Sequence, residues 1–190
     1  LAGNRGETTW ALDISSSAAK GRISIPTDVS NRLLRLDLEH LTLVGSSAPR
    51  PEEFEKLDPT QIPSIEMKSK AFHFKDIDFG QTEIRTTRLS KGLKLEHLTF
   101  SNPDFSAMAT GNWISDDRGK TSQLDMKIKS PALAPLLDRF RYKAANIEGG
   151  EAEIRIDASW PGTPADFSLN RMVGTFELHA VDGRFLDIDP

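Results

Sequence analysis

Leu36-Asp37-Leu38-Glu39-His40-Leu41-Thr42-Leu43 returns as Leu93-Lys94-Leu95-Glu96-His97-Leu98-Thr99-Phe100, with six of eight positions identical. The two exchanges leave the order of polar and apolar residues unchanged. Strand-like units repeated in this way belong to chains that grow by adding similar units, each covering its neighbour's apolar face, rather than closing around one pocket. Function is then expected along a surface. Within each copy the apolar residues change parity: Leu36 and Leu38 precede Leu41 and Leu43, and Leu93 and Leu95 precede Leu98 and Phe100. Side chains of a strand alternate between faces, so each Glu-His pair must hold a bulge that returns the second half to the face of the first. The stretch Phe72-His73-Phe74-Lys75-Asp76-Ile77-Asp78-Phe79-Gly80 switches in the same manner, with the bend expected at Lys75-Asp76. Three bends predict a curved sheet.

The rest of the chain is strand-like as well. Trp10, Leu12 and Ile14 alternate with polar or small residues, Ile23 and Ile25 follow, and Leu34 leads into the first repeat copy. Ile65 and Met67 precede the Phe72 stretch, and Ile84 belongs to the strand after it. Phe105, Ala107, Ala109, Gly111 and Trp113 are strictly odd, Leu124, Met126 and Ile128 strictly even, and the charged run Ser115-Asp116-Asp117-Arg118-Gly119 between them marks a hairpin. Two further runs close the chain: Ala152, Ile154, Ile156, Ala158, Trp160, then Met172, Gly174, Phe176, Leu178, Ala180. The intervening positions are polar, as in Gln123, Asp125, Lys127 and Lys129, or Glu151, Glu153, Arg155 and Asp157. One face of the sheet is therefore wet and the other is not.

A strong helix is expected only from Pro131 to about Tyr142, with Ser130 as N-cap, Pro131 in the first turn, and Leu133, Leu136, Leu137 and Phe140 on one stripe. It should cover part of the apolar face. Pro49, Pro51 and Pro59 interrupt the strands, and Pro51–Leu57 can form a short helix, so the chain divides into a β segment at 1–48, a linker at 49–63 and a β unit at 64–190. With one helix to cover it, the apolar surface is in surplus. It can fold on itself as a sandwich, close as a barrel, or stay open as a U-shaped groove.

Length and composition allow one ordinary domain or a segment of a longer array. The chain starts without Met and ends just after a strand-like run, which reads as a piece of such an array. No stretch approaches the roughly 18 consecutive apolar residues of a membrane span. Cysteine is absent, which excludes disulfides, thiolate metal sites and thiol catalysis. A net charge of −4 argues against nucleic acid as a partner, because phosphate binding needs clustered Lys and Arg. Residues 64–100 carry seven Lys or Arg against five Asp or Glu, and residues 144–190 three against nine, an asymmetry expected of solvated faces.

Chemistry-bearing patterns are missing. There is no nucleophile elbow, HExxH motif, phosphate loop or dinucleotide fingerprint. His40 and His97 occupy equivalent repeat positions, which fits bulge residues bonded locally better than a duplicated catalytic group. His73 and His179 alternate with apolar neighbours and should face solvent. No spacing brings two imidazoles together on a helix face, so no metal is expected. Asp182, Asp187 and Asp189 are interrupted by Arg184, Phe185 and Leu186 at strand spacing, unlike a calcium loop. Trp113 and Trp160 share parity with their apolar strand mates and belong to core or groove lining.

Several motifs together resemble a known family. Asp58-Pro-x-x-Ile62-Pro63, the Phe79-Gly80 bend, Leu95-Glu96-His97-Leu98, Gly111-x-Trp113, the Ser130 helix, Glu148-Gly149-Gly150, Ser159-Trp160-Pro161-Gly162 and Gly174-x-Phe176-x-Leu178, running into Asp182-Gly183-Arg184-Phe185-Leu186-Asp187-Ile188-Asp189-Pro190, are similar to the C-terminal region of the AsmA-like superfamily, most closely its YhdP branch. The likeness is specific over about the last 130 residues and general over the first 50. It implies a periplasmic part of an inner-membrane-anchored protein of Gram-negative bacteria, built from stacked β units like TamB and chorein-type bridge proteins, through whose groove phospholipid moves between the membranes. It also implies a non-enzymatic protein without cofactors, active in outer-membrane integrity, and it favours the open groove among the three architectures.

On that reading the groove is lined by Leu36, Leu38, Leu41, Leu43, Phe72, Phe74, Ile77, Phe79, Leu95, Leu98, Phe100, Trp113, Met126, Ile128, Ile154, Ile156, Phe176 and Leu178. Its expected partners are phospholipid acyl chains, neighbouring β units of the same long chain, and inner- or outer-membrane envelope proteins. The competing expectation is a non-enzymatic β-sandwich interaction module of the envelope, docking through its edge strands.

Overall fold

The computed structural model describes residues 9–27, 33–43, 57–139, 147–166 and 170–185. Ten strands form one sheet whose spatial order is the chain order. They are β1 (Thr9–Ser15), β2 (Ala19–Pro26), β3 (Leu33–Leu43), β4 (Ser64–Phe74), β5 (Ile77–Leu89), β6 (Gly92–Ser101), β7 (Ser106–Asp116), β8 (Gly119–Ser130), β9 (Ile147–Pro161) and β10 (Val173–Phe185). β1 and β10 each pair on one side only, so the sheet is open. Of the three architectures that the surplus apolar surface allowed, neither the closed barrel nor a second facing sheet is found among the described residues.

Every pairing is antiparallel except β3 with β4, which run parallel. The expected sheet was antiparallel throughout. The difference follows from the connection: hairpin turns reverse the chain, whereas segment 44–63 is long enough to carry it back to the starting end before β4 begins. The sheet therefore runs unbroken past the Pro-rich stretch. Of the short helix expected at Pro51–Leu57, all but Leu57 lies outside the described residues; just after it, Pro59–Gln61 forms a 3₁₀ turn capped by Asp58, whose Oδ1 accepts from the Thr60 amide at 2.9 Å.

Both Glu-His bulges are present. Lys20 pairs with His40 and Gly21 with Leu38, which leaves Glu39 as the extra residue; Arg85 pairs with His97 and Thr86 with Leu95, which leaves Glu96. The third switch resolves differently. Lys75-Asp76 is the hairpin turn between β4 and β5, with Lys75 at φ 55°, not a bend within one strand. Three bulges flank it instead: Lys70 and Ala71 together oppose Gln81, Phe79 is the extra residue between the Phe72–Gly80 and His73–Asp78 pairs, and Gly80 and Gln81 together oppose Ser101. These return Phe72 and Phe74 to the face of Met67, and Thr82 and Ile84 to the face of Phe79. Four successive strands, β3 to β6, thus carry a parity switch, and each bulge adds twist and bend.

Helix α1 (Leu133–Arg139) packs on β9, with Leu133 and Leu136 buried. Residues 140–142 of the expected helix lie outside the described residues. Ser130 ends β8 rather than capping α1: its Oγ accepts from the Ala132 amide at 3.2 Å and donates to the Asp104 carbonyl at 2.7 Å. Under α1 lies the core of Phe105, Ala107, Leu136 and Ile154, flanked by Phe79, Phe100, Ile128 and Ile156. Phe79 sits 4.7 Å from Phe100 and 6.1 Å edge-on from Phe105 between ring centroids, spacings at which aromatic quadrupoles attract.

Candidate functional site: an apolar track across the sheet

Cross-strand register turns ten separate alternations into continuous rows. Leu12 pairs with Ile23, then Leu36, Met67, Ile84, Leu98, Ala109, Met126, Ile156 and Phe176, one apolar residue from each strand. At about 4.8 Å per strand this row runs for roughly 40 Å before bending. The neighbouring row crosses Leu38, Ser69, Thr82, Phe100, Ala107, Ile128, Ile154 and Leu178. Its two hydroxyls are internally occupied, Ser69 donating to the Ala71 carbonyl at 2.9 Å and Thr82 to that of Gly80 at 3.4 Å. They interrupt the apolar surface without offering it a free polar group.

One residue along, the opposite face is charged. Asp13, Arg22, Asp37, Lys68 and Glu83 alternate in sign across β1 to β5. Arg22 bonds Asp13 at 2.8 Å, and Glu66 lies between Arg35 at 3.3 Å and Arg85 at 3.2 Å. The Arg22 guanidinium holds the Asp13 carboxyl below the usual range. For Glu66, burial pushes the carboxyl up, and the two guanidiniums outweigh it. Such exposed pairs contribute little each. Their joint effect is to keep this face in water.

Every groove residue predicted from sequence lies on the apolar face, because the bulges restore parity where the residue order breaks it. Their environments divide them. Ile154 belongs to the core beneath α1, with Phe79, Phe100, Ile128 and Ile156 packed on it, and Leu38 and Trp113 are also buried. Leu36, Leu41, Phe72, Phe74, Ile77, Leu95, Leu98 and Met126 are half-buried. Leu43, Phe176 and Leu178 are exposed, at 42%, 59% and 50%. The track is thus sealed under α1 and open toward its two ends, where Trp10 and Leu12 on β1 are also exposed.

Residues missed from that reading are Leu12, Ile23, Met67, Ile84 and Ala109. Their alternation was visible, but their membership of one row depends on register. Phe105 was likewise legible as an inward residue but not as the centre of the core.

A hollow of about 470 Å³ lies at the bulges of β3, β4 and β5, with Asp37, Glu39, Lys68, Lys70 and Glu83 in its wall beside Leu38, Ser69 and Thr82. Lys68 stands 3.9 Å from Glu83, and Glu39 is bonded to Lys20 at 2.6 Å. The histidines are also dispersed. His40 Nε2 lies 3.2 Å from the Ser16 carbonyl, a local bond at the bulge, while His73 faces Asp78 at 3.7 Å on the polar side. His97 and His179 are exposed. Asp187 and Asp189 lie outside the described residues. Among the described residues no group of three His, Cys, Asp or Glu could hold a metal ion, and no helix is long and apolar enough to cross a membrane.

A single bent sheet, charged on one side and crossed on the other by an apolar row that spans all ten strands, defines an open β-groove protein whose distinctive surface is a track rather than a pocket. The sequence matches the family model described as YhdP protein over residues 1–190, which extends the likeness across the first 50 residues as well. The chain belongs to the YhdP family. Neither a curated protein nor a solved structure matches it.

Proposed function

We propose that this chain is a segment of a periplasm-spanning conduit that carries phospholipid between the inner and outer membranes and so supports the outer-membrane barrier. The observation that carries the reading is the row from Leu12 to Phe176, apolar at every one of ten strands. Acyl chains require a continuous apolar surface and little directional bonding, because their transfer from water depends on area, at roughly 25 cal/mol per Å². The chains of one leaflet reach about half of a ~30 Å bilayer core, so a track of this length offers successive equivalent positions. Headgroups can remain in water along the open side. Membership of the YhdP family supports an envelope protein of this kind, and its partners in this reading are acyl chains, adjoining β units and envelope proteins. The role is transfer without bond chemistry, needing no cofactor.

The test is lipid occupancy. The 190-residue chain, purified from a bacterial host without harsh detergent, is analysed by native mass spectrometry and lipid extraction beside a closed β-sandwich control. Near-stoichiometric glycerophospholipid on this chain alone is the expected result; a clean apoprotein would overturn the reading in favour of an interaction module.

A further inference from the structure

Trp113 Nε1 is a buried donor without an acceptor, the only such side-chain atom among the described residues. The residue is 5% exposed and stands on β7 four positions beyond Ala109, about 13 Å from the long apolar row and close to the strand end. Its cross-strand row reads Leu93, Trp113, Ser122, Trp160. The other donors of that row are used: Ser122 Oγ donates to the Gly162 carbonyl at 3.0 Å, and Trp160 Nε1 to that of Thr163 at 2.8 Å. The two tryptophans have the same place in their strands and opposite bonding states. Buried polar groups in native proteins are almost always paired, so a lone orphan points to an acceptor that arrives with a ligand.

The surroundings select the acceptor. The site lies at the rim of the track, where a lipid's acyl chains give way to its backbone. The 3₁₀ turn Pro59–Gln61 lies against β6 and β7 on this side of the sheet. Among the described residues no charged side chain is buried, so a buried counter-charge is lacking there. An anionic phosphate buried beside Trp113 would lose hydration without a counter-charge, whereas a neutral carbonyl matches a neutral N–H.

We propose that the Trp113 indole N–H donates to an ester carbonyl of a glycerolipid whose chains lie on the apolar rows. This rests on the reading of that face as a lipid track. Trp113 would then set the depth and register of each lipid, giving the track a defined stopping place.

The experiment compares a diester phosphatidylglycerol with its diether counterpart, which lacks the carbonyls, on the wild-type chain and on Trp113→Phe. Affinity is measured by titration, with the indole ¹H–¹⁵N resonances recorded alongside. The wild type should bind the diester about fivefold more tightly, the worth of one net hydrogen bond, and Trp113→Phe should bind both lipids equally. Only the diester should shift the Trp113 indole resonance. Equal affinities on the wild type overturn the proposal even if the variant fails to fold. A diester preference that survives in Trp113→Phe, or an equal loss for both lipids, also overturns it while leaving the lipid track intact. If neither lipid binds, the track reading falls and this inference with it.

Discussion

Ser130 donates its hydroxyl hydrogen to the Asp104 carbonyl at 2.7 Å, tying the end of β8 to the turn that opens β7. The carboxylate of the same Asp104 receives the Arg139 guanidinium, which also donates to the Asp78 carbonyl at 3.2 Å. One short turn thus holds α1 at both ends, over the core of Phe105, Ala107 and Ile154. Removing the Ser130 hydroxyl leaves a buried carbonyl with less to bond. Ser130→Ala should lower unfolding free energy by about 1–2 kcal/mol, measured by urea denaturation, with an unchanged m-value. A variant as stable as wild type would mean that α1 is not secured in this way.

The bulges make a second, sharper test, because they act through parity. Deleting Glu96 removes the extra residue, so Leu95, Leu98 and Phe100 alternate regularly and stay on the apolar face, whereas deleting Thr99 turns Phe100 toward the charged face, a change no local repacking can absorb. Circular dichroism should report a cooperative thermal transition for the Glu96 deletion and its loss for the Thr99 deletion. Glu96→Ala keeps the extra residue and should melt within a few degrees of wild type. Equal behaviour of the two deletions would show that the bulge does not set the register.

Gly80 stands at another bulge with φ 69°, and a Cβ there would come within 2.2 Å of the Ser101 carbonyl oxygen. Both the backbone conformation and the backbone-to-backbone approach exclude a side chain. Gly80→Ala should destabilise by about 2–3 kcal/mol in the same urea assay. A loss below 0.5 kcal/mol would contradict this close approach.

Acid should weaken the charged face in a predictable window. The Lys127 ammonium, 3.0 Å away, lowers the Glu153 carboxyl below the ordinary range; burial opposes this and the Arg155 guanidinium adds to it. Glu66 is also lowered on balance. A carboxyl depressed in the folded state contributes stability above its unfolded pKa and loses it as pH falls through the folded one. The melting temperature should therefore be flat from neutrality to about pH 5 and fall below it. Glu153→Gln should make the acid limb shallower; an identical limb in wild type and variant would show that Glu153 carries none of it.

Two aspartate substitutions separate track from core. Phe176→Asp changes a side chain 59% exposed at the open end and should keep the fold while reducing lipid occupancy in native mass spectra. Ile154→Asp puts a carboxylate into the core under α1 at 8% exposure and should abolish cooperative unfolding. Unchanged occupancy in a folded Phe176→Asp would place lipid elsewhere.

Strand identity, the division into a wet and an apolar face, and the Glu39 and Glu96 bulges were all readable from residue order, because side chains alternate with period two and any break in that alternation is written in the chain. The parallel pairing of β3 with β4 was not, since it depends on where segment 44–63 returns the chain. Lys75-Asp76 misled for a related reason: a two-residue turn and a bulge both change parity, and only the direction of the next strand separates them. Tertiary structure alone determined which apolar residues became core, because Ile154 and Phe176 share the same alternation and differ only in that α1 lands over one of them. It also determined that the sheet stays open and that the rows align across ten strands, for register and closure arise from contacts between strands distant in sequence, and no local pattern records them.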